Sequence, residues 1–178
     1  MTRVAPLDED GLDPQARAIF ESFKSENRRP IELYRILANT PTLLPGFHEI
    51  GQAIRYRTTL QKDLVELVIL RVAQLTDSSY EWLHHLRFAR AAGVEEGKIA
   101  SLGTWKTTNQ IYTDAERAAL HAADEIHLIA LSDEGFAELS EHYGVREVVE
   151  LVGVISHYES VSRVLQALGV TIEPEYLE

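Results

Sequence analysis

The sequence predicts an all-α protein, a compact multi-helix fold, on three observations. Apolar residues recur at spacings of three and four in segment after segment, as one face of a helix requires. Helix-start signals such as Asp13-Pro14, Thr113-x-x-Glu116 and Ser132 punctuate those segments. Strand signals, runs of alternating β-branched and aromatic residues, are scarce.

Asp13-Pro14 sets a capping residue before a proline at the first helical position and predicts a helix to about Lys24, closed by Arg29-Pro30. A shorter helix through Ile31 to Ala38 stops near Asn39-Thr40-Pro41. Pro41 or Pro45 opens the next, which carries Phe47, Ile50, Ile54 and Tyr56. Thr58-Thr59 reads as the cap of a helix bearing Leu64, Leu67, Val68, Leu70, Arg71 and Leu75. Thr76-Asp77 ends it and caps a helix reaching Gly93. Val94 to Leu102 reads as a short helix and Gly103 to Ile111 as a loop. Thr113 to Glu116 has the form of a capping box, opening a helix from Asp114 to Leu131. Ser132 caps a helix to about His142, and Gly144 precedes a last long one from Val145 to Leu168. Leu64 to Val68 and Val148 to Val152 are similar stretches, either coincident amphipathic helices or a pseudo-symmetric pair lining one pocket.

At 178 residues, 45% hydrophobic and 25% charged, the chain is sized for one domain with a substantial core. A formal net charge of -11 disfavours nucleic acid, whose binding draws on clustered Lys and Arg. The amino terminus has no basic segment followed by an apolar run, and no stretch is long enough to cross a bilayer, so no membrane role and a cytoplasmic location are expected. No glycine-rich phosphate loop, HExxH motif or Gly-x-Ser-x-Gly elbow is present. Glu81-x-x-His84 and Asp124-x-x-His127 have a spacing used in di-iron bundles, but one arm is Asp, and no metal is expected.

Chemistry concentrates between Glu66 and Gly93. On a helix, Ser78, Glu81 and His85 project from neighbouring positions and offer a hydroxyl, a carboxylate and an imidazole to one small volume. His85 is the natural proton shuttle near neutral pH. Glu66 sits among Val65, Leu67, Val68 and Ile69, where a buried carboxylate needs a partner. Ser78 is equally suited to capping the helix. His84 is suited to a local hydrogen bond as well as to a site role, while Tyr80 and Trp82 read as pocket walls.

This pattern, Glu66, then Ser78, Tyr80-Glu81-Trp82, His85 and Ala91-Ala92-Gly93-Val94, resembles the carboxymuconolactone decarboxylase or alkylhydroperoxidase D-like family, in its branch carrying Tyr-Glu-Trp. The similarity is densest over residues 59–102, a core motif within a single domain of residues 1–178 that has an N-terminal helical extension over residues 1–40. Thiol-dependent members carry Glu, Cys-x-x-Cys and a His four residues later. Glu66 takes the Glu position, Ser78 and Glu81 the two Cys positions, and His85 the His. The chain has no cysteine, which excludes a dithiol peroxidase cycle. Decarboxylase members place a Glu four residues before the His, as Glu81 and His85 do.

The resemblance implies an enzyme of the lyase or isomerase class that uses Glu/His acid–base chemistry on a small carbonyl-containing organic acid, without cofactor. It also implies a homo-oligomer, trimer or hexamer. By residue type, an outward Trp105 and the Tyr-rich ends, including Tyr112 and Tyr176, are candidate interface anchors. The last helix often carries a Tyr and an Arg in such sequences, which makes Tyr158 and Arg163 secondary site candidates. Arg71 and Arg163 both suit a substrate carboxylate. The alternative is a non-catalytic ligand-binding or assembly protein on the same scaffold.

Overall fold

The computed structural model describes residues 2–108 and 111–177, and every described regular element is helical. The helices are α1 (Pro14–Ser25), α2 (Glu32–Leu37), α3 (Leu43–Arg57), α4 (Lys62–Leu75), α5 (Ser79–Ala92), α6 (Glu96–Ser101), α7 (Asp114–His127), α8 (Asp133–His142) and α9 (Val145–Leu168). Short 3-10 turns follow at Leu102–Thr104 and Pro174–Tyr176. None of the described helices is long and apolar enough to cross a membrane. The chain divides into two units, one made of Met1–Tyr56 and Val164–Glu178, the other of Arg57–Arg163.

In the first unit, Asp13 caps α1 by accepting from the backbone N–H groups of Gln15 and Ala16. Phe20 and Phe23 are buried, and the Phe23 ring meets Tyr34 of α2 edge-on at 5.7 Å. The N–H of Glu32, at the first turn of α2, donates to the buried Glu173 carboxylate at 2.6 Å, which supplies the cap that Ile31 cannot.

The second unit is built around α4. Leu64, Val65, Leu67, Val68, Ile69, Leu70 and Val72 are all buried, so this helix is apolar on every side and lies inside, packed against α5 and α7. Leu67 and Leu70 join Ala89 of α5, Leu102, Trp105, Tyr112 and Leu120 of α7 in one cluster. Trp105 and Tyr112, expected as outward interface anchors, are therefore core residues. Their polar tips are satisfied internally, Trp105 Nε1 donating to Asp124 and the Tyr112 hydroxyl to the Lys98 carbonyl.

The turn between α4 and α5 sets the site. Thr76 ends α4, Asp77 takes a left-handed conformation at φ 51°, and Ser78 caps α5. Gly93 ends α5 at φ 94°, a conformation that glycine adopts without a Cβ penalty. The capping box at Thr113 is present in full.

Four expected boundaries differ, the first being the start of α5, which Ser78 caps rather than Thr76-Asp77. Thr58-Thr59 does not cap α4, whose N-cap is Gln61; the Thr59 N–H and hydroxyl both donate to Glu150 of α9 instead. The helix expected to run to Leu131 stops at His127, because Ile129 turns to φ 94°. Part of the loop expected over residues 103–111 begins as a 3-10 turn, and residues 109 and 110 of it lie outside the described residues.

Candidate functional site

The apolar surroundings of α4 force its one mid-helix carboxylate to find a partner, and α5 supplies it. His85 Nδ1 stands 2.7 Å from Glu66 Oε2. One turn back on α5, Glu81 Oε2 faces the other ring nitrogen, Nε2, at 3.5 Å. The side chains of His85, Glu66 and Glu81 keep only 8%, 11% and 5% of their exposure. The imidazole thus lies between two carboxylates from two helices, each ring nitrogen facing one. The carboxylates stand at opposite nitrogens rather than around a shared point, and no described group of three His, Asp or Glu residues is arranged to hold a metal ion.

Aromatic rings fix the imidazole from other directions. Tyr158 of α9 meets His85 at 4.9 Å, nearly perpendicular, and Phe88 lies at 5.7 Å. His157 meets Tyr158 edge-on at 5.3 Å. Burial, reinforced by the neighbouring His85, pushes the His157 imidazole down to about 4. His84 stacks on Tyr80 at 4.4 Å, both buried.

Ser78 has a backbone duty: its hydroxyl accepts from the Glu81 N–H at 3.4 Å and so caps α5. Ser78 and Trp82, four residues apart, also line an open cleft of about 510 Å³ together with Arg71, Gln74, Asp77 and Ser79. Glu66, Glu81 and His85 are not among the residues lining this cleft. On α5 the Ser78/Trp82 row runs directly beside the Glu81/His85 row, so cleft and buried triad are neighbours along one helix.

The two candidate arginines part company. Arg71 lines the cleft and is largely buried, its Nε 2.6 Å from Asp124 Oδ1. Arg163 is 67% exposed and pairs with Glu159 at 3.1 Å, while His127 takes the other oxygen of Glu159 at 2.7 Å. Asp124 and His127 therefore serve different partners rather than one centre. Glu150, the counterpart of Glu66 in the similar stretch of α9, binds Thr59 and Arg146 instead of an imidazole.

Asp124, notable in the sequence only as one arm of a metal-type spacing, has a different place in the structure. It accepts from Arg71, from Trp105 Nε1 at 3.3 Å and from Lys106 Nζ at 2.9 Å. Its sequence signal matches that of Glu66, an acid within a buried run, here Ala118, Ala119, Leu120, Ala122 and Ala123.

Residues 41–125 match the model of the carboxymuconolactone decarboxylase family. The chain is 29% identical over 116 residues to the uncharacterized protein YdfG of Bacillus subtilis (strain 168), covering 64% of this chain and 78% of that one. Its fold is similar to that of the debrominase Bmp8 in complex with 2,3,4-tribromopyrrole, with TM-score 0.82 at 21% identity over 99% of this chain and 95% of that one. It is similar also to the alkylhydroperoxidase AhpD core of an uncharacterized peroxidase-related protein from Ralstonia eutropha JMP134, with TM-score 0.83 at 16% identity over 98% and 94% of the two chains. The match to the carboxymuconolactone decarboxylase family model falls on the helices that carry Glu66, Glu81 and His85, and the all-helical fold is similar to that of the alkylhydroperoxidase AhpD core.

Proposed function

We propose that this protein is an acid–base enzyme, a lyase or isomerase that moves a proton to or from carbon in a small carbonyl-containing organic acid. The observation that supports this reading is the His85 imidazole, buried with a carboxylate at each ring nitrogen. In the reading, Nδ1–H donates to Glu66, which fixes the tautomer and ring orientation, and Nε2 exchanges the proton. Loss of carbon dioxide from a β-keto acid breaks the bond to the carboxyl carbon, and the electron pair moves into the enolate. His85 then delivers a proton from Nε2 to carbon, with Glu81 beside it to relay the replacement. Isomerisation uses the same proton twice, removed from one carbon and returned to another. Both sequences balance without oxidant or reductant.

A panel of small β-keto and unsaturated organic acids in deuterated water, followed by proton NMR, tests the reading. The parent should convert at least one of them, and His85→Gln should slow that conversion by about 100-fold or more, the usual worth of a positioned general acid or base. Equal turnover by the folded variant defeats the proposal.

One observation favours a second reading, a non-catalytic ligand-binding protein: the triad is buried beside the cleft rather than in its lining. Saturable binding with no conversion of any bound acid distinguishes it. In either reading we place the protein in a homo-oligomer, which sedimentation equilibrium tests.

A further inference from the structure

The cleft at the start of α5 contains a guanidinium whose commitments can be counted. Arg71 Nε donates to Asp124, and Nη1 reaches Gln74 Oε1 at 3.3 Å and the Leu102 carbonyl at 3.4 Å. Among the described residues, the donors left over are those of Nη2. Arg71 is held rigidly, because Asp124 is itself fixed by Trp105 Nε1 and Lys106. A largely buried arginine whose Nε and Nη1 are engaged, with Nη2 left over, is a preorganised receptor for a carboxylate oxygen.

The rest of the lining narrows the ligand. Trp82 contributes an indole, and an indole surface favours a flat unsaturated partner. Ser79 and Gln74 add polar groups without charge. Asp77 adds an exposed carboxylate to the same cleft. The charged residues lining the cleft are Arg71, already paired with Asp124, and Asp77, so a second negative charge on the ligand finds no further cation in that lining and faces Asp77. The volume, about 510 Å³, lies within the usual range for small-molecule sites.

We infer that this cleft is a recognition site for a flat monocarboxylate, bound through Arg71 Nη2 and stacked against Trp82, with Asp124 as the residue that positions Arg71. The inference deepens the acid–base reading and rests on it for the reaction, but not for the binding.

Calorimetric titration of the full chain with benzoate tests the site, with benzamide as the uncharged isostere and terephthalate as the dicarboxylate. Benzoate should bind one per chain and quench the fluorescence of Trp82, with benzamide and terephthalate each at least tenfold weaker. Arg71→Gln and Asp124→Asn should each weaken benzoate by tenfold or more, while Lys62→Gln, exposed and outside the cleft, leaves it unchanged. The discrimination between the three probes is read on the parent and stands even where a variant fails to fold. Absence of saturable benzoate binding, equal binding of benzamide, or full affinity in folded Arg71→Gln overturns the inference. Turnover measured on the same samples separates the two proposals: conversion without benzoate binding removes this one alone, and benzoate binding without conversion of any acid removes the acid–base reading alone.

Discussion

His85 and Glu66 are joined across the packed α4 and α5 helices by a 2.7 Å hydrogen bond from Nδ1 to Oε2, nineteen residues apart in sequence and almost out of reach of water. His85→Ala leaves two buried carboxylates, Glu66 and Glu81, facing a hole. Breaking a buried pair in this way costs about 3–5 kcal/mol. Glu66→Gln keeps an acceptor oxygen at the same place and should cost about 1 kcal/mol, the usual net worth of a single hydrogen bond. Urea unfolding at pH 7 measures both, and similar losses in the two variants would show that the pair carries no special weight.

The start of α7 offers a purely local counterpart. The Thr113 hydroxyl accepts from the Glu116 N–H, and the Glu116 carboxylate accepts from the Thr113 N–H at 2.8 Å. Thr113→Ala should lose about 1 kcal/mol in the same assay. Glu116 also holds Lys98 at 2.6 Å, so Glu116→Ala should lose more than the cap alone, and the double variant should fall short of the sum. Strict additivity would mean that the two residues do not act as one box.

That contrast explains what was legible in the sequence. Thr113, Ser132 and Asp13 were readable because each cap is made within three residues of itself. Glu81 and His85 were readable because helical spacing alone sets them on one row, and Glu66 because an acid inside an apolar run demands a partner. Thr59 misled because the group that takes its donors, Glu150, is 91 residues away. Trp105 and Tyr112 misled because they lie in a polar stretch yet close over the α4–α7 cluster, which no local pattern reports. Asp124 suggested a metal-type spacing with His127, and its pairing with Arg71 was not legible for the same reason, since the two are 53 residues apart.

Gly93 tests the end of α5. Its φ of 94° disfavours any L side chain, yet an added Cβ would meet nothing within 4 Å. Gly93→Ala therefore isolates backbone strain, worth about 1 kcal/mol. Thermal unfolding should show a loss of that order with no change in the Tyr158–His85 packing seen by NMR. A neutral or stabilising result would mean that the turn relaxes out of the left-handed region at no cost.

The half-buried His157 gives the protein an acid-sensitive element with a definite sign. Burial first, and the neighbouring His85 second, lower its imidazole from the ordinary 6.5 to about 4. Above pH 6.5 neither the folded nor the unfolded chain protonates this group, and its contribution to stability is complete. As pH falls from 6.5 toward 4 the unfolded chain takes up the proton while the folded chain does not, so folding stability falls with pH across that window. Below about 4 both states are protonated and the loss levels off, at no more than about 3 kcal/mol from this group. His48, also lowered by burial and by Arg55, acts in the same direction and leaves a residual slope. Urea unfolding of the parent and of His157→Gln between pH 4 and 8 should give curves that diverge below pH 6.5, the parent losing stability more steeply. Parallel curves through the window would mean that His157 titrates alike in both states, and that its place beside Tyr158 and His85 does not keep it neutral.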